Sequence, residues 1–241
     1  MPKRPDYGID APGVLAMFFA LGALCLALGP FARPFAVGAV TFDFGYAPRI
    51  TGGIFLLEGV LMFVYVKWGK FRHRDRMLAQ VPWTGSERVL DVGTGRGLLV
   101  VGAAKRLTTG RAIGIDIWSA RDMAGNAIER TQANVAMEGV SGKVELRTED
   151  ASQMTFPDAS FDVVVSNLCI HNIPNRAGRA RACREIARVL RPGGRAVISD
   201  YRLTGKYAAV LASEGLAVEW RGPFWGDTFP PLKMFVARKP S

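Results

Sequence analysis

The sequence predicts an α/β protein: a seven-stranded, mostly parallel sheet preceded by a two-helix transmembrane hairpin. Three observations lead there. Two long apolar stretches fill the first third of the 241 residues. From about Met77 onward, short β-rich runs alternate with helical patterns, the signature of a parallel sheet with crossover helices. One of those runs, Val89–Gly97 (VLDVGTGRG), leads a buried strand into three glycines spaced two apart. Glycines there let the backbone take positive φ and let a ligand approach closely.

Residues 1–11 form a short polar segment that begins with Lys3 and Arg4. Residues 12–68 hold the hairpin. Pro12–Ala32 carries no charge and has a membrane-spanning length, about 20 residues. A signal peptide fits less well, because the apolar run is too long and Arg33 and Pro34 precede any cleavage site. The second stretch runs from about Ile50 to Val66, with an aromatic edge at Tyr65 and Trp68. Gly52, Gly53 and Gly59 allow close helix packing. Glu58 lies mid-stretch. It either faces a partner or cavity, or is a protonated acid bonded to the first helix. A soluble, buried hairpin is the competing reading of the whole segment.

Residues 69–86 read as a basic linker and a short helix. Lys67, Lys70, Arg72, Arg74 and Arg76 follow the second stretch, against Arg33 and Arg49 in the connection. This asymmetry places both termini in the cytoplasm and the run on anionic headgroups. The net charge of +10 suits such a surface or nucleic acid. No stacked-aromatic pattern of RNA readers or separate binding module accompanies it, so nucleic acid is not expected. The three cysteines lie far apart with no CxxC pair, which excludes a disulfide framework or structural zinc site. No metal is expected.

Residues 87–241 form the sheet domain. Strands are expected at 87–93, 111–117, 143–148, 161–166, 194–200, 216–221 and 232–238. Helices are expected at 98–107, about 120–138 and 176–190. The glycine spacing departs from the dinucleotide fingerprint, since Gly97 follows Gly95 by two residues rather than three. That disfavours a nicotinamide oxidoreductase. Asp91, inside the strand, suits a cationic or hydroxyl-bearing ligand.

The glycine turn, IGIDI (Ile113–Ile117), TEDASQM, FPDASFDVVVSN and LRPGGRAVISD (Leu190–Asp200) occur in order over about 110 residues. Together they resemble the class I S-adenosylmethionine-dependent methyltransferases, nearest the quinone and small-molecule branch. The resemblance covers roughly residues 75–241 and not the hairpin. It implies a Rossmann-like sheet of order 3-2-1-4-5-7-6 and S-adenosylmethionine as cofactor. The cofactor-binding candidates are Asp91, Gly93, Thr94, Gly95, Gly97, Asp116, Ile117, Trp118, Asp150, Ala151 and Asn167. Asp116, at a strand end, is placed to accept both ribose hydroxyls. Ile117 and Trp118 sandwich the adenine, unless the tryptophan is a plain core or surface aromatic. Asp150 and Ala151 read the adenine edge, and Asn167 lies beside the methionine part.

The cofactor's methyl group is already activated, so alignment of a nucleophile is the main task. His171, in NLCIHNIP, is the candidate base, or else it orients a loop. Asp200 and Tyr201 share its rim as base or orienting groups. The arginines at 176, 179, 181, 184 and 188 read first as a solvated helix face, with headgroup contact the alternative. Phe224, Trp225 and Phe229 either wall a pocket, insert at the interface, or pack on the sheet.

The expected function is a methyltransferase of the cytoplasmic membrane, its catalytic domain on the cytoplasmic side. Its acceptor is lipid-soluble: a quinone, a prenylated phenol or an aminophospholipid. The alternatives are a methyltransferase of a soluble small molecule and a tethered, non-catalytic cofactor-binding protein. If the hairpin only delivers the acceptor, removing residues 1–66 should spare cofactor binding.

Overall fold

The computed structural model describes residues 4–43, 45–119 and 125–241. Its sheet domain follows from strands that are apolar on both sides, as a sheet covered by helices on both faces requires. The strands are β3 (Arg88–Val92), β4 (Arg111–Asp116), β5 (Val144–Thr148), β6 (Phe161–Asn167), β7 (Leu190–Asp200), β8 (Ala217–Phe224) and β9 (Leu232–Arg238). Their order is β5-β4-β3-β6-β7-β9-β8, the order the resemblance implies. The first five are parallel, and β9 runs antiparallel to both β7 and β8.

Alternate residues serve opposite faces. Leu90, Val92, Phe161, Ile198 and Phe235 join α6 (Arg176–Val189) and α7 (Thr204–Ser213) in one core. Val89, Val163, Val197 and Val236 join α3 (Lys70–Leu78), α4 (Leu98–Ala104) and α5 (Ile128–Met137) in the other. The sequence pattern gives no element for α7. Part of the helix expected at about 120–138 falls on residues 120–124, outside the described residues, and α5 begins at Ile128. β7 begins at Leu190, before the expected 194, because Leu190 already pairs with Phe161 ahead of a register shift.

The N-terminal third is a helical hairpin. Helix α1 (Pro12–Leu28) and α2 (Ala47–Val64) are joined by a small ribbon of β1 (Phe35–Val37) and β2 (Val40–Phe42). Both helices are long and apolar enough to cross a membrane by length and composition. They cross closely at Gly22 and Gly52, where a Cβ on either would come within 3.1 Å of the other's carbonyl oxygen. Gly59 takes the Phe19 ring in the same way, whereas Gly53 faces open space.

The expected linker is instead structured. Helix α2 passes through a π turn (Tyr65–Gly69) into α3, making one helix from Ala47 to Leu78. Helix α3 docks on the sheet through Met77 and Leu78, both fully buried. The basic run is largely spent inside the protein. Lys70 is buried, Arg74 pairs with Asp75, and Arg76 grips Asp227 with two hydrogen bonds of 3.0 and 2.5 Å. Lys67 and Arg72 remain exposed. Those internal partners are the physical reason the run does not form a free basic surface.

Candidate active site

The site is built at the carboxyl ends of β3, β4 and β6, where open α/β sheets bind ligands. All three glycines of the turn take positive φ: Gly93 at 76°, Gly95 at 51° and Gly97 at 87°. A Cβ on Gly93 would also collide with the Cys169 side chain. Asp91 is buried at the base of the turn. Its Oδ2 accepts from the Thr94 hydroxyl (2.8 Å) and the Val100 N–H (2.9 Å), while Oδ1 has no partner. Burial pushes its carboxyl up to about 7, against those two bonds, with Asp116 adding repulsion.

Asp116 ends β4. Its carboxylate accepts from the N–H of Gly95 (2.8 Å) and of Trp118 (2.7 Å), and from the Asn126 amide (3.2 Å). It therefore ties the glycine turn to the next loop.

His171 follows β6, and Asp200 ends β7. The imidazole Nδ1 lies 2.9 Å from Asp200 Oδ1, and Asp200 is 1% exposed. This contact fixes the tautomer with the proton on Nδ1 and leaves Nε2 as the acceptor. The Tyr201 ring stands edge-on to His171 at 4.8 Å. Asn167 closes β6 and hydrogen-bonds the Tyr65 hydroxyl, while its own Oδ1 is buried and unpartnered.

A single cavity of about 780 Å³ connects these groups. It brings together Asp91, Gly93, Thr94, Gly95, Asp116, Ile117, Asp150, Ala151, Asn167, His171 and Tyr201. Gly97, Trp118 and Asp200 are not on its wall. Trp118 takes positive φ and turns its indole N–H to the Thr148 hydroxyl at 2.8 Å. Asp200 meets the cavity wall through His171 and through the Tyr201 N–H, which donates to its Oδ1 at 2.8 Å. Of the final aromatics, Phe229 lines the cavity, Phe224 packs between His73 and Arg76, and Trp225 stands exposed.

Residues 90–198 match the family described as a methyltransferase domain. They form a class I S-adenosylmethionine-dependent methyltransferase domain. The chain is 31% identical over 141 residues to 27-O-demethylrifamycin SV methyltransferase of Amycolatopsis mediterranei, covering 58% of this chain and 48% of that one. It is 32% identical over 134 residues to demethylmenaquinone methyltransferase of Lactiplantibacillus plantarum, covering 55% and 53%. The chain thus spans about half the length of these two curated relatives. A solved S-adenosylmethionine-dependent methyltransferase from Mesorhizobium loti shares the fold, with a TM-score of 0.55 at 19% identity, covering 68% of this chain and 96% of that one.

The residues of the methyltransferase domain fit its cofactor. The glycine turn leaves room for close approach. The unpartnered Asp91 Oδ1 suits a cation, and the buried Asn167 Oδ1 awaits a donor. Sequence reasoning missed the opposite wall, contributed by Tyr7, Asp10, Val14, Phe18, Met62, Tyr65 and Lys70 outside the methyltransferase domain. Glu58 also opens onto this cavity, and among the described residues no hydrogen bond or ion pair engages it. Tyr7 and Asp10 belong to the segment whose removal was expected to spare cofactor binding. They wall the same cavity as the glycine turn.

Proposed function

We propose that this protein methylates a lipid-soluble acceptor that enters between the hairpin helices, at the cytoplasmic face of the membrane. One observation carries the reading: the cavity that holds the glycine turn also extends between α1 and α2, with Val14, Phe18, Glu58 and Met62 on its wall. These residues recur at helical spacing, so each helix turns one face inward. The two helices also expose Leu24, Ile54, Leu57 and Leu61, as lipid-facing helices do. The five basic residues between Lys67 and Arg76, against Arg33 and Arg49 in the connection, support a cytoplasmic catalytic domain.

The cofactor supplies, when bound, a methyl group on a positively charged sulfur. Held there, it would supply that methyl group to the acceptor's nucleophile, with the displaced electron pair remaining on the sulfur. The turn and Asp116 hold one reactant, and the apolar wall of Val14, Phe18, Met62 and Phe229 excludes water and orients the other. Where the nucleophile is a hydroxyl or an electron-rich ring carbon, His171 Nε2 receives its proton and Asp200 stabilises the imidazolium. This base favours a phenolic or quinol acceptor, in keeping with the relative named for demethylmenaquinone.

The experiment is methylation by the full chain in lipid vesicles. An isoprenoid-tailed demethylnaphthoquinol should gain one methyl group by mass and be turned over at least about ten-fold more efficiently than its tail-less analogue. Equal turnover of the two would point to a soluble acceptor. Cofactor binding with no methylated product from any of the quinol, phenol or aminophospholipid classes would favour a non-catalytic binding protein.

A further inference from the structure

Three charged side chains on the cavity wall, Asp10, Glu58 and Lys70, come from outside the methyltransferase domain. Asp10 precedes α1, and Lys70 opens α3. The segment Asp6–Asp10 lies across the glycine turn. The Asp6 carboxylate pairs with Arg96, between Gly95 and Gly97, at 2.5 Å, and Gly8 rests against the Arg96 guanidinium. The Asp6 N–H and carbonyl are both bonded to the Asn134 side chain at 2.9 Å. The Tyr7 hydroxyl donates to Glu138 at 2.7 Å. Asp6, Tyr7 and Gly8 thus latch the chain to the glycine turn and α5 before it enters α1.

The ammonium of Lys70 is 4% exposed and donates to the carbonyls of Tyr7 (2.9 Å) and Gly8 (2.6 Å). An ammonium has three donors, so one remains. It is directed to neither carbonyl, and the nearest acid, Asp10 Oδ2, stands 3.6 Å away, beyond a hydrogen bond. That same Asp10 oxygen is buried and has no hydrogen-bond partner. Lys70 and Asp10 therefore form a loose ion pair on one cavity wall, with the Asp10 oxygen short of a hydrogen bond. Leaving such groups unsatisfied is costly, and a ligand carrying both an anion and a cation would complete them.

Their position selects which end of the cofactor this is. His73, one turn after Lys70, bonds Ser199 of β7 at 2.7 Å, and Tyr65 bonds Asn167 of β6. The pair therefore lies on the β6–β7 side of the glycine turn. Asp116 and Asp150, the candidates for ribose and adenine, lie on the β4–β5 side. We propose that Lys70 and Asp10 bind the α-carboxylate and α-ammonium of the cofactor's amino-acid end. The hairpin and its leader are then part of the cofactor site, and cofactor occupancy ties the hairpin to the sheet domain.

The test is calorimetric binding of two ligands to the full chain in detergent. S-adenosylhomocysteine carries the amino-acid end, and methylthioadenosine lacks it. Lys70→Met and Asp10→Asn should each weaken S-adenosylhomocysteine about ten- to hundred-fold, with methylthioadenosine changed less than about two-fold. Lys70→Arg should restore part of the loss. Asp10→Asn is nearly isosteric and carries the test alone if Lys70→Met does not fold. Unchanged S-adenosylhomocysteine affinity would overturn the proposal. So would equal losses for both ligands, which would mean that Lys70 only holds the leader in place. Methylthioadenosine binding to the unaltered chain reports the cofactor site independently of this outcome.

Discussion

The two halves of the helix Ala47–Leu78 treat their side chains in opposite ways. In the first half, Ile50 is 61% exposed and Leu57 58%. In the second, Lys70 is 4% exposed and His73 1%. Apolar side chains are outside in one half, and charged or polar ones are inside in the other. An exposed apolar face of this extent is stable only when covered by lipid or a partner. Buried polar groups are stable only when bonded, and here Tyr7, Gly8 and Ser199 supply the bonds. One continuous helix thus joins an exposed apolar segment to a buried polar one. The junction is the π turn Tyr65–Gly69, a feature frequent at functional sites. Gly69 there lies so close to the Asp227 carbonyl that a Cβ would collide with it.

The largest expected effect breaks the chemistry on the domain side. His171→Ala should slow methyl transfer by about 10²- to 10⁴-fold and leave S-adenosylhomocysteine binding within about two-fold, as rapid-quench turnover and calorimetry would show. Comparable losses in both would make His171 a structural residue. The next sharpens the contrast along the helix. Gly69→Ala should cost about 3 kcal/mol, because it displaces the 224–230 loop that carries Phe229 into the cavity. Gly53→Ala, which meets nothing within 4 Å, should change thermal stability by less than about 0.5 kcal/mol. Similar effects at the two positions would contradict the docked geometry of the junction.

The smallest effect concerns Asp91. Burial raises its folded value to about 7, above the ordinary carboxylate value near 3.9. Its favourable contribution is therefore full below about pH 4 and is lost as the pH rises through 7. The ligand-free protein should lose stability between about pH 4 and 7, with the slope levelling off above 7, and Asp91→Asn should flatten that slope in thermal melts. Cofactor affinity should move the other way and strengthen from pH 6 to 7, because a cation favours the ionised carboxylate. A pH-independent melting temperature would show that Asp91 titrates normally.

The sheet domain was largely legible in the sequence. Its strands are continuous apolar runs, and the glycine turn, Asp116, Asn167 and the His171–Asp200 rim occupy fixed places relative to strand ends. The orientation of Trp118 was not legible, because a positive φ, which sequence does not reveal in a tryptophan, turns its indole toward Thr148. The basic run was misleading for a different reason. Local composition shows charge, but the partners of Lys70 and Arg76 lie about 60 and 150 positions away in the chain. The same distance hid Asp10 and Tyr7. Nothing in DYGID signals that these residues fold back over a glycine turn. Glu58 was visible as an acid in an apolar stretch, and only the packing of α1 on α2 shows which way it faces.

The central claim is that one cavity serves both the cofactor and the space between the hairpin helices. Phe18 walls that space and meets Phe229 edge-on at 6.3 Å. The most direct measurement is kcat/KM of Phe18→Trp in vesicles, for the isoprenoid-tailed demethylnaphthoquinol and its tail-less analogue. The account predicts a loss of about ten-fold or more for the tailed acceptor, with the tail-less acceptor and S-adenosylhomocysteine affinity within about two-fold. An unchanged rate on the tailed acceptor, or an equal loss on both, would contradict it.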